Sequence, residues 1–357
     1  MSFEIQQNIG LAEFTTFKVG GNARYFVQVR NESEVLRAIE FAEENALETF
    51  ILGGGSNVLI ADEGFDGLVV KIALKEITLV VKDSETVFVN AGSGEDWDEL
   101  VAYCVSENLQ GFECLSGIPG LVGGTPVQNV GAYGQEVSET IISVRCFDRN
   151  TNKIVELSNS ECGFAYRASI FNTSEKNRYI VLSVTYNLKL NGDPKIVYRD
   201  LQNFFGKRKP TLEETREAVL EIRHVKSMVI DKNDINSQSA GSFFKNPIVS
   251  REKFSEIEKI AANLKIENVP YFMVDEKSVK IPAAWLIEKA DFYKGFRRGK
   301  VGLSTNHTLA IINRGNATAQ EILDFKCDIQ NKVKERFHIE LQPEPVFVGF
   351  EKPKRHS

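Results

Sequence analysis

Residues 114–135 read CLSGIPGLVGGTPVQNVGAYGQ, 22 consecutive positions without a charged side chain. Six glycines and two prolines in that run exclude a regular helix and a membrane span, because both residue types break the helical ladder. The segment is therefore mostly loop, yet it is too apolar for an ordinary surface loop. Packing against a large, flat ligand resolves the conflict, with backbone groups and Gln128 or Asn129 meeting the ligand's polar edge. A buried inter-domain loop resolves it as well.

About sixty residues upstream, LGGGSNVLI (residues 52–60) follows a strand-like run. Three successive glycines let a backbone approach a ligand closely and turn its N–H groups toward an anion. This is not the G-x-G-x-x-G fingerprint, since the next residues form another apolar strand-like run rather than a helix. Taken alone, a structural loop and a phosphate cradle account for it equally. Two such segments together suggest a dinucleotide spread across two subdomains. The pyrophosphate then falls at Gly53, Gly54, Gly55, Ser56 and Asn57. The ring system falls along Gly117, Ile118, Pro119, Gly123, Gly124, Gln128, Asn129, Gly131, Ala132 and Tyr133.

The surrounding pattern is mixed. Residues 24–29, 49–52, 67–72 and 86–90 read as strands and 96–107 as a helix. Residues 32–45 form a helix with apolar Val35, Leu36, Ile39 and Phe41, capped by Asn31, with Glu34 supporting a capping box. A β-rich middle (141–148, 153–157, 179–190) precedes a helix at 213–224 and a polar loop at 231–239. The last third reads as a smaller α+β unit, with strands at 271–274 and 309–313 and a short helix at 283–290. There Thr318-Ala-Gln-Glu321 is a capping box opening a helix with the stripe Ile322, Phe325, Ile329, Val333 and Phe337.

A length of 357 residues implies two or three domains. Lys and Arg number 43 against 49 Asp and Glu, a net charge of −6. That balance argues against nucleic-acid or anionic-membrane partners, although a small anionic ligand needs only a local cluster of cations. The start MSFEIQQNIG lacks a basic region followed by an apolar one, and no run reaches the roughly 18 apolar residues of a membrane helix. A cytoplasmic protein without membrane insertion is expected. The five cysteines (Cys104, Cys114, Cys146, Cys162, Cys327) are scattered, without C-x-x-C or Cys/His metal spacing. Inert thiols in a reducing cytosol, and no metal, are the expectation.

Five motifs then occur in order: LGGGSNVL, GIPGLVGGTPVQNVGAYGQE, YRASIF (166–171), SAGSFFKNP (239–247) and QPEPVF (342–347). From about residue 15 to residue 349 the chain resembles the UDP-N-acetylenolpyruvoylglucosamine reductase (UDP-N-acetylmuramate dehydrogenase) family. The segment Val197-Tyr198-Arg-Asp-Leu201 and the form of the last third resemble the first of that family's two structural types. The resemblance implies an α+β chain: a two-subdomain FAD-binding fold of the vanillyl-alcohol oxidase (PCMH) type plus a substrate-binding domain. The subdomains are expected at 1–73 and 74–224 and the substrate domain at 225–339, with 340–357 packing back on the first. It further implies a monomer that holds FAD non-covalently and uses NADPH as reductant. Hydride then passes from reduced flavin to the enolpyruvyl group of a UDP-sugar, giving UDP-N-acetylmuramate for peptidoglycan precursor synthesis.

Hydride addition to an enol ether conjugated to a carboxylate builds negative charge on the carboxylate and at C2. Fixed cations and an acid for C2 are therefore required. By resemblance, Arg167 lies over the developing enolate, Ser242 donates the proton to C2, and Glu344 is the third catalytic acid. A serine hydroxyl is a poor acid in water, so Lys245 or the enolate must assist. Lys226, Tyr198, Lys245 and Asn246 correspond to contacts for the UDP pyrophosphate, and His307 to another polar contact. Blander roles compete at each position: a surface ion pair, a turn cap, a carboxylate beside Pro343 and Pro345, an ordinary histidine. The family's common Asn-Thr-Phe is here Thr15-Thr16-Phe17, and RHVKSMVIDKND around Lys226 is longer than a compact Lys-Leu-Pro form. KGFRRGK (294–300) is either a reader of the NADPH 2′-phosphate or a solvated loop. An FAD-dependent sugar or alcohol oxidase would share the flavin motifs. It would usually tether its flavin through His or Cys, and no histidine precedes His224.

Overall fold

A computed structural model describes residues 3–350; the expected C-terminal residues 351–357 lie outside the described residues. The chain divides into two compact units. The first comprises residues up to Gly10, Asn22–Gly55 and Phe65–Val229; the second comprises Leu11–Gly21, Ser56–Gly64 and the chain from Ile230 onward.

In the first unit, Asn22–Val29 and Thr49–Leu52 flank Phe65–Ile72 in parallel, and Gln6–Gly10 adds an antiparallel edge. The helix Glu32–Glu44 crosses between Asn22–Val29 and Thr49–Leu52, burying Val35, Ala38, Ile39 and Ala42 at helical spacing. Asn31 caps it by accepting the Glu34 N–H at 2.9 Å. The Glu34 carboxylate, however, takes the N–H of Arg30 at 2.7 Å, one residue earlier than a capping box would place it. A second, antiparallel sheet runs Lys153–Ser158, Ile141–Asp148, Tyr179–Leu190, Thr86–Gly92 and Ile77–Val81. Over it, Trp97, Phe112 and Tyr186 form an aromatic knot with centroids 4.9–6.1 Å apart, and the Trp97 indole N–H donates to Leu115 O at 3.2 Å.

The second unit is organised by the helix Ala319–Phe337. Its stripe Ile322, Phe325, Ile329, Val333 and Phe337 is fully buried, and Thr318 and Glu321 form the expected capping box. Asp62 accepts the N–H groups of Ala319 and Gln320 at 2.7 and 2.9 Å, placing a second negative group at the positive end of the helix dipole. Val58–Ile60 pairs in parallel with Val346–Val348. Residues 56–64, which the sequence assigned to a first subdomain of 1–73, thus belong with the C-terminal third because their hydrogen-bonding partners lie there.

Two expected strands shorten. Only Phe272–Met273 of 271–274 joins a sheet, with the run exposed at its edge. Of 309–313 only Ile311–Asn313 pairs, since Leu309 O is taken by the Phe243 N–H. The polar strand Gln6–Gly10 and the helix Arg251–Asn263, capped by Ser250, carried no expectation. Cys104, Cys114, Cys146 and Cys162 are buried. Burial pushes the thiols of Cys104 and Cys162 up to about 12, so they stay protonated and unreactive.

Candidate functional site

In the first unit the two glycine-rich loops meet. A Cβ on Gly54 would stand 2.6 Å from the Gly120 Cα, closer than any side chain tolerates. Beside that contact the space is open: a Cβ on Gly53 or Gly124 would meet nothing within 4 Å. Neither of these two is needed as glycine for packing within the protein, which is what a cradle for a cofactor requires. The Lys71 amine, whose pKa burial lowers, donates to Gly53 O.

Gly117, at φ +71°, begins the turn that carries Ile118 and Pro119. Its N–H donates to Asp98 Oδ1 at 2.6 Å and its carbonyl accepts Arg223 Nε at 3.2 Å. Arg216 grips both Asp98 oxygens at 2.5 and 2.9 Å. The helix Leu212–Val225 thus fixes this glycine from both sides.

Three hydrogen bonds tie the long glycine-rich segment to the YRASIF turn. Asn129 Nδ2 donates to Ala165 O at 3.1 Å, Ser169 Oγ to Val127 O at 2.6 Å, and Arg167 Nη2 to Gly131 O at 2.8 Å. Arg167 sits at φ +53°, between the reciprocal Ala165–Ala168 backbone bonds of 2.9 and 3.1 Å. Asn129 also donates to Glu136 and accepts the Ser138 N–H. Its side chain therefore buttresses the turn, where the sequence suggested a ligand contact; burial of its amide demands those internal partners. Gln128, Ala132 and Tyr133 are half-buried. Tyr133 meets Tyr198 edge-on at 5.5 Å, and the Lys226 amine lies 5.8 Å from the Tyr133 ring centroid while pairing with Asp200 at 2.8 Å.

The second unit gathers the remaining residues on a backbone ladder. Phe243 N–H donates to Leu309 O at 2.8 Å, Glu344 N–H to Phe243 O at 2.9 Å, and Lys245 N–H to Gln342 O at 2.9 Å. Asn57 joins it: Val346 N–H donates to Asn57 O at 2.9 Å and Asn57 Nδ2 to Glu344 O at 3.3 Å. Ser56, Ser242 and Glu344 are half-buried beside the buried Phe243 and Phe244. Asn246 Oδ1 accepts the Ala283 N–H at 2.8 Å and so caps the helix Ala283–Lys289. His307 stands apart from the ladder, in the turn where its carbonyl accepts the Ala310 N–H. Thr16 Oγ1 donates to Ser239 O at 2.6 Å, linking the Thr-Thr-Phe segment to SAGSFFKNP. Among the described residues no group of three or more His, Cys, Asp or Glu could hold a metal, and no helix is long and apolar enough to cross a membrane.

Residues 23–158 match the FAD binding domain family, and residues 233–348 match the family described as UDP-N-acetylenolpyruvoylglucosamine reductase, C-terminal domain. The UDP-N-acetylenolpyruvoylglucosamine reductase of Thermobifida fusca is 41% identical over 355 residues, covering 98% of this chain and 99% of that protein. The chain belongs to the UDP-N-acetylenolpyruvoylglucosamine reductase family. A second member, from Flavobacterium johnsoniae, is 38% identical over 96% of this chain. The crystal structure of UDP-N-acetylenolpyruvylglucosamine reductase (MurB) from Thermus caldophilus superposes with a TM-score of 0.65 at 25% identity, covering 98% and 99% of the two chains. As a member of this reductase family the protein is an oxidoreductase with an FAD-binding domain, and the α+β fold class read from its sequence stands.

Within this family member, sequence reasoning passed over Lys71, Asp98, Arg216 and Arg223. Arg216 and Arg223 lie seven residues apart, two turns along one helix face, and that spacing was the available signal. Arg223 reaches the backbone of Gly117 and Arg216 the Asp98 carboxylate that holds it, each about a hundred residues away in sequence, which no side-chain pattern encodes.

Proposed function

We propose that the protein catalyses the NADPH-dependent, FAD-mediated reduction of UDP-N-acetyl-3-O-(1-carboxyvinyl)-glucosamine to UDP-N-acetylmuramate, a step of peptidoglycan precursor synthesis. The observation that carries this reading is the end-to-end identity with a reductase so named, 41% over 98% of the chain, with all five motifs present.

The chemistry that bound FAD supplies is two-electron hydride transfer, received from NADPH and delivered to the enolpyruvyl group. The loops at Gly53–Asn57 and Gly117–Tyr133 would hold it, with the open space at Gly53 and Gly124 giving it room. Arg167 is anchored at Gly131 O, so its planar cation is oriented before the substrate carboxylate arrives. A guanidinium can grip that carboxylate with two parallel bonds and stays charged as the enolate develops. Ser242 gives the proton to C2, with Lys245 nearby in sequence to favour the resulting alkoxide. Glu344 stabilises developing charge or relays the proton back to Ser242. Lys226 and Tyr198, with Lys245, Asn246 and His307, meet the UDP moiety; Lys226 exchanges Asp200 for a phosphate oxygen as the pyrophosphate docks. Residues 225–339 serve as the substrate domain.

Two anaerobic half-reactions test this. Purified protein should be yellow with releasable FAD, should bleach with NADPH, and should regain colour on adding the enolpyruvyl sugar nucleotide. Protein that cannot be reconstituted with FAD would sink the reading. Reoxidation by oxygen or a carbonyl product, but not by the sugar nucleotide, would favour an oxidase instead.

A further inference from the structure

In the first unit the strand Phe65–Ile72 lies between two parallel neighbours. In that position both faces of a strand are covered and the sequence usually runs apolar without a break. Leu68, Val69 and Val70 conform at 0% exposure, and Ile72 follows at 5%. Lys71 interrupts them. It is half-buried and pairs in register with Leu52, so its side chain leaves the sheet at the carboxyl ends of two parallel strands. Open sheets with parallel strands place their ligands at those ends.

A half-buried ammonium ordinarily finds a carboxylate, because taking an unpaired charge out of water is costly. Among the described residues the Lys71 amine has a single partner, the neutral carbonyl of Gly53, and burial lowers its pKa with no carboxylate acting against that. The bond also has a directional consequence. Carbonyl and N–H lie on opposite sides of a trans peptide plane, so holding Gly53 O toward Lys71 turns the Gly54 N–H away from it. Gly54 is exposed, and a Cβ on Gly53 would meet nothing within 4 Å. The donor of this peptide is thus fixed in a stretch with open space beside it.

We propose that Lys71 is a positioning residue for the cofactor: it sets the Gly53–Gly54 peptide to receive the FAD pyrophosphate, which supplies the counter-charge the ammonium lacks. The proposal rests on the reading that Gly53–Asn57 holds the pyrophosphate. A neutral donor in the same place would orient the peptide and nothing more. An ammonium also raises the positive potential over the N–H groups that meet the anion. The cost falls on the flavin-free protein, which keeps a half-buried charge against a neutral partner. The gain arrives only with FAD. Lys71 thus trades stability of the flavin-free fold for cofactor affinity.

Titrating the flavin-free full chain with FAD, while flavin fluorescence is followed, reads the effect directly. Lys71→Met keeps an unbranched stem and removes the charge. It should raise the FAD dissociation constant roughly 10–100-fold, the worth of a hydrogen bond to a charged group. Without FAD its thermal midpoint should equal or exceed that of the wild type, since an apolar group in place of an unpaired half-buried charge is neutral or stabilising. A lysine that merely braces the sheet predicts the reverse, an earlier melt without FAD. Lys71→Arg keeps a charged donor and should recover most of the affinity lost in Lys71→Met. Unchanged FAD affinity in Lys71→Met overturns the proposal and leaves the pyrophosphate reading standing. An earlier flavin-free melt of Lys71→Met, or Lys71→Arg binding FAD as weakly as Lys71→Met, also overturns it. Wild-type protein that binds no FAD overturns both.

Discussion

In the first unit, Gly117 and the Arg167 turn are held where side chains grip backbone: Asp98 and Arg223 on Gly117, Asn129 on Ala165, Ser169 on Val127. In the second unit, the Ser242 and Glu344 segments are held by backbone bonds among Phe243, Leu309, Glu344, Lys245 and Gln342, with Phe243 and Phe244 at 0% and 1% exposure beneath. The first arrangement depends on polar side chains, any of which one substitution can remove. The second depends on packing, and its polar side chains can change while the ladder stays. The proposed chemistry and the scaffold are therefore separable around Ser242, whereas polar side chains and scaffold are entangled around Gly117.

Ser242→Ala is the sharpest use of that separation. Phe243 supplies the ladder bonds through its backbone, so the thermal midpoint should hardly move. Reoxidation of reduced enzyme by the enolpyruvyl sugar nucleotide should slow by roughly 10²–10⁴-fold, the range for a lost general acid. Reduction by NADPH should proceed as in the wild type. Stopped-flow absorbance of the two half-reactions separates these outcomes, and an unimpaired second half-reaction removes Ser242 from its proposed role as proton donor.

Phe243→Ala attacks the packing instead. Its ring meets Phe244, Phe17 and Phe347 with centroids 5.3, 6.1 and 6.4 Å away. Truncation leaves a cavity among them and should cost about 3–5 kcal/mol. Urea unfolding should show the loss in the transition of the second unit. A change below about 1 kcal/mol would mean the ladder does not rest on this cluster.

The same contrast explains what could be read from the sequence. The Ala319–Phe337 helix was legible because its cap, its stripe and its buried face all depend on residues within a few turns. The unit boundary between Gly55 and Ser56 was not, since a glycine run has no periodicity and Val58–Ile60 finds its partner nearly 290 residues later. For the site, physical reasoning proposed a flat ligand along residues 117–134 and a pyrophosphate at 53–57, and the five motifs proposed Arg167, Ser242 and Glu344 as catalytic residues. Neither route found Asp98 or Arg216. Charges on amphipathic helices look solvated until the distant glycine they hold is known, and the internal partners of Asn129 were hidden for the matching reason: Ala165 and Ser138 are brought to it only by the fold.

Asp98→Ala should have the smallest of these effects, but on two readouts at once. It removes the acceptor for the Gly117 N–H and the counter-ion of Arg216, whose side chain is only 16% exposed. Losing a half-buried partner of this kind should cost about 2 kcal/mol. FAD should also bind more weakly, because the loop that carries Ile118 and Pro119 is no longer fixed at its first residue. The pH dependence identifies the cause. Burial alone would raise the Asp98 pKa, but the Arg216 guanidinium, the Gly117 N–H and the charge of Arg223 outweigh it and leave the pKa lowered. A lowered folded-state pKa gives stability that is complete above the ordinary aspartate value of about 3.9 and is lost as pH falls through the folded value. The stability gap between wild type and Asp98→Ala should therefore be full at neutral pH and narrow below about pH 4. Asp98→Asn keeps an acceptor for Gly117 and loses the charge, so it should recover FAD affinity while lacking the acid-dependent stability. If Asp98→Asn binds FAD as poorly as Asp98→Ala, the ion pair with Arg216, rather than the bond to Gly117, positions the loop.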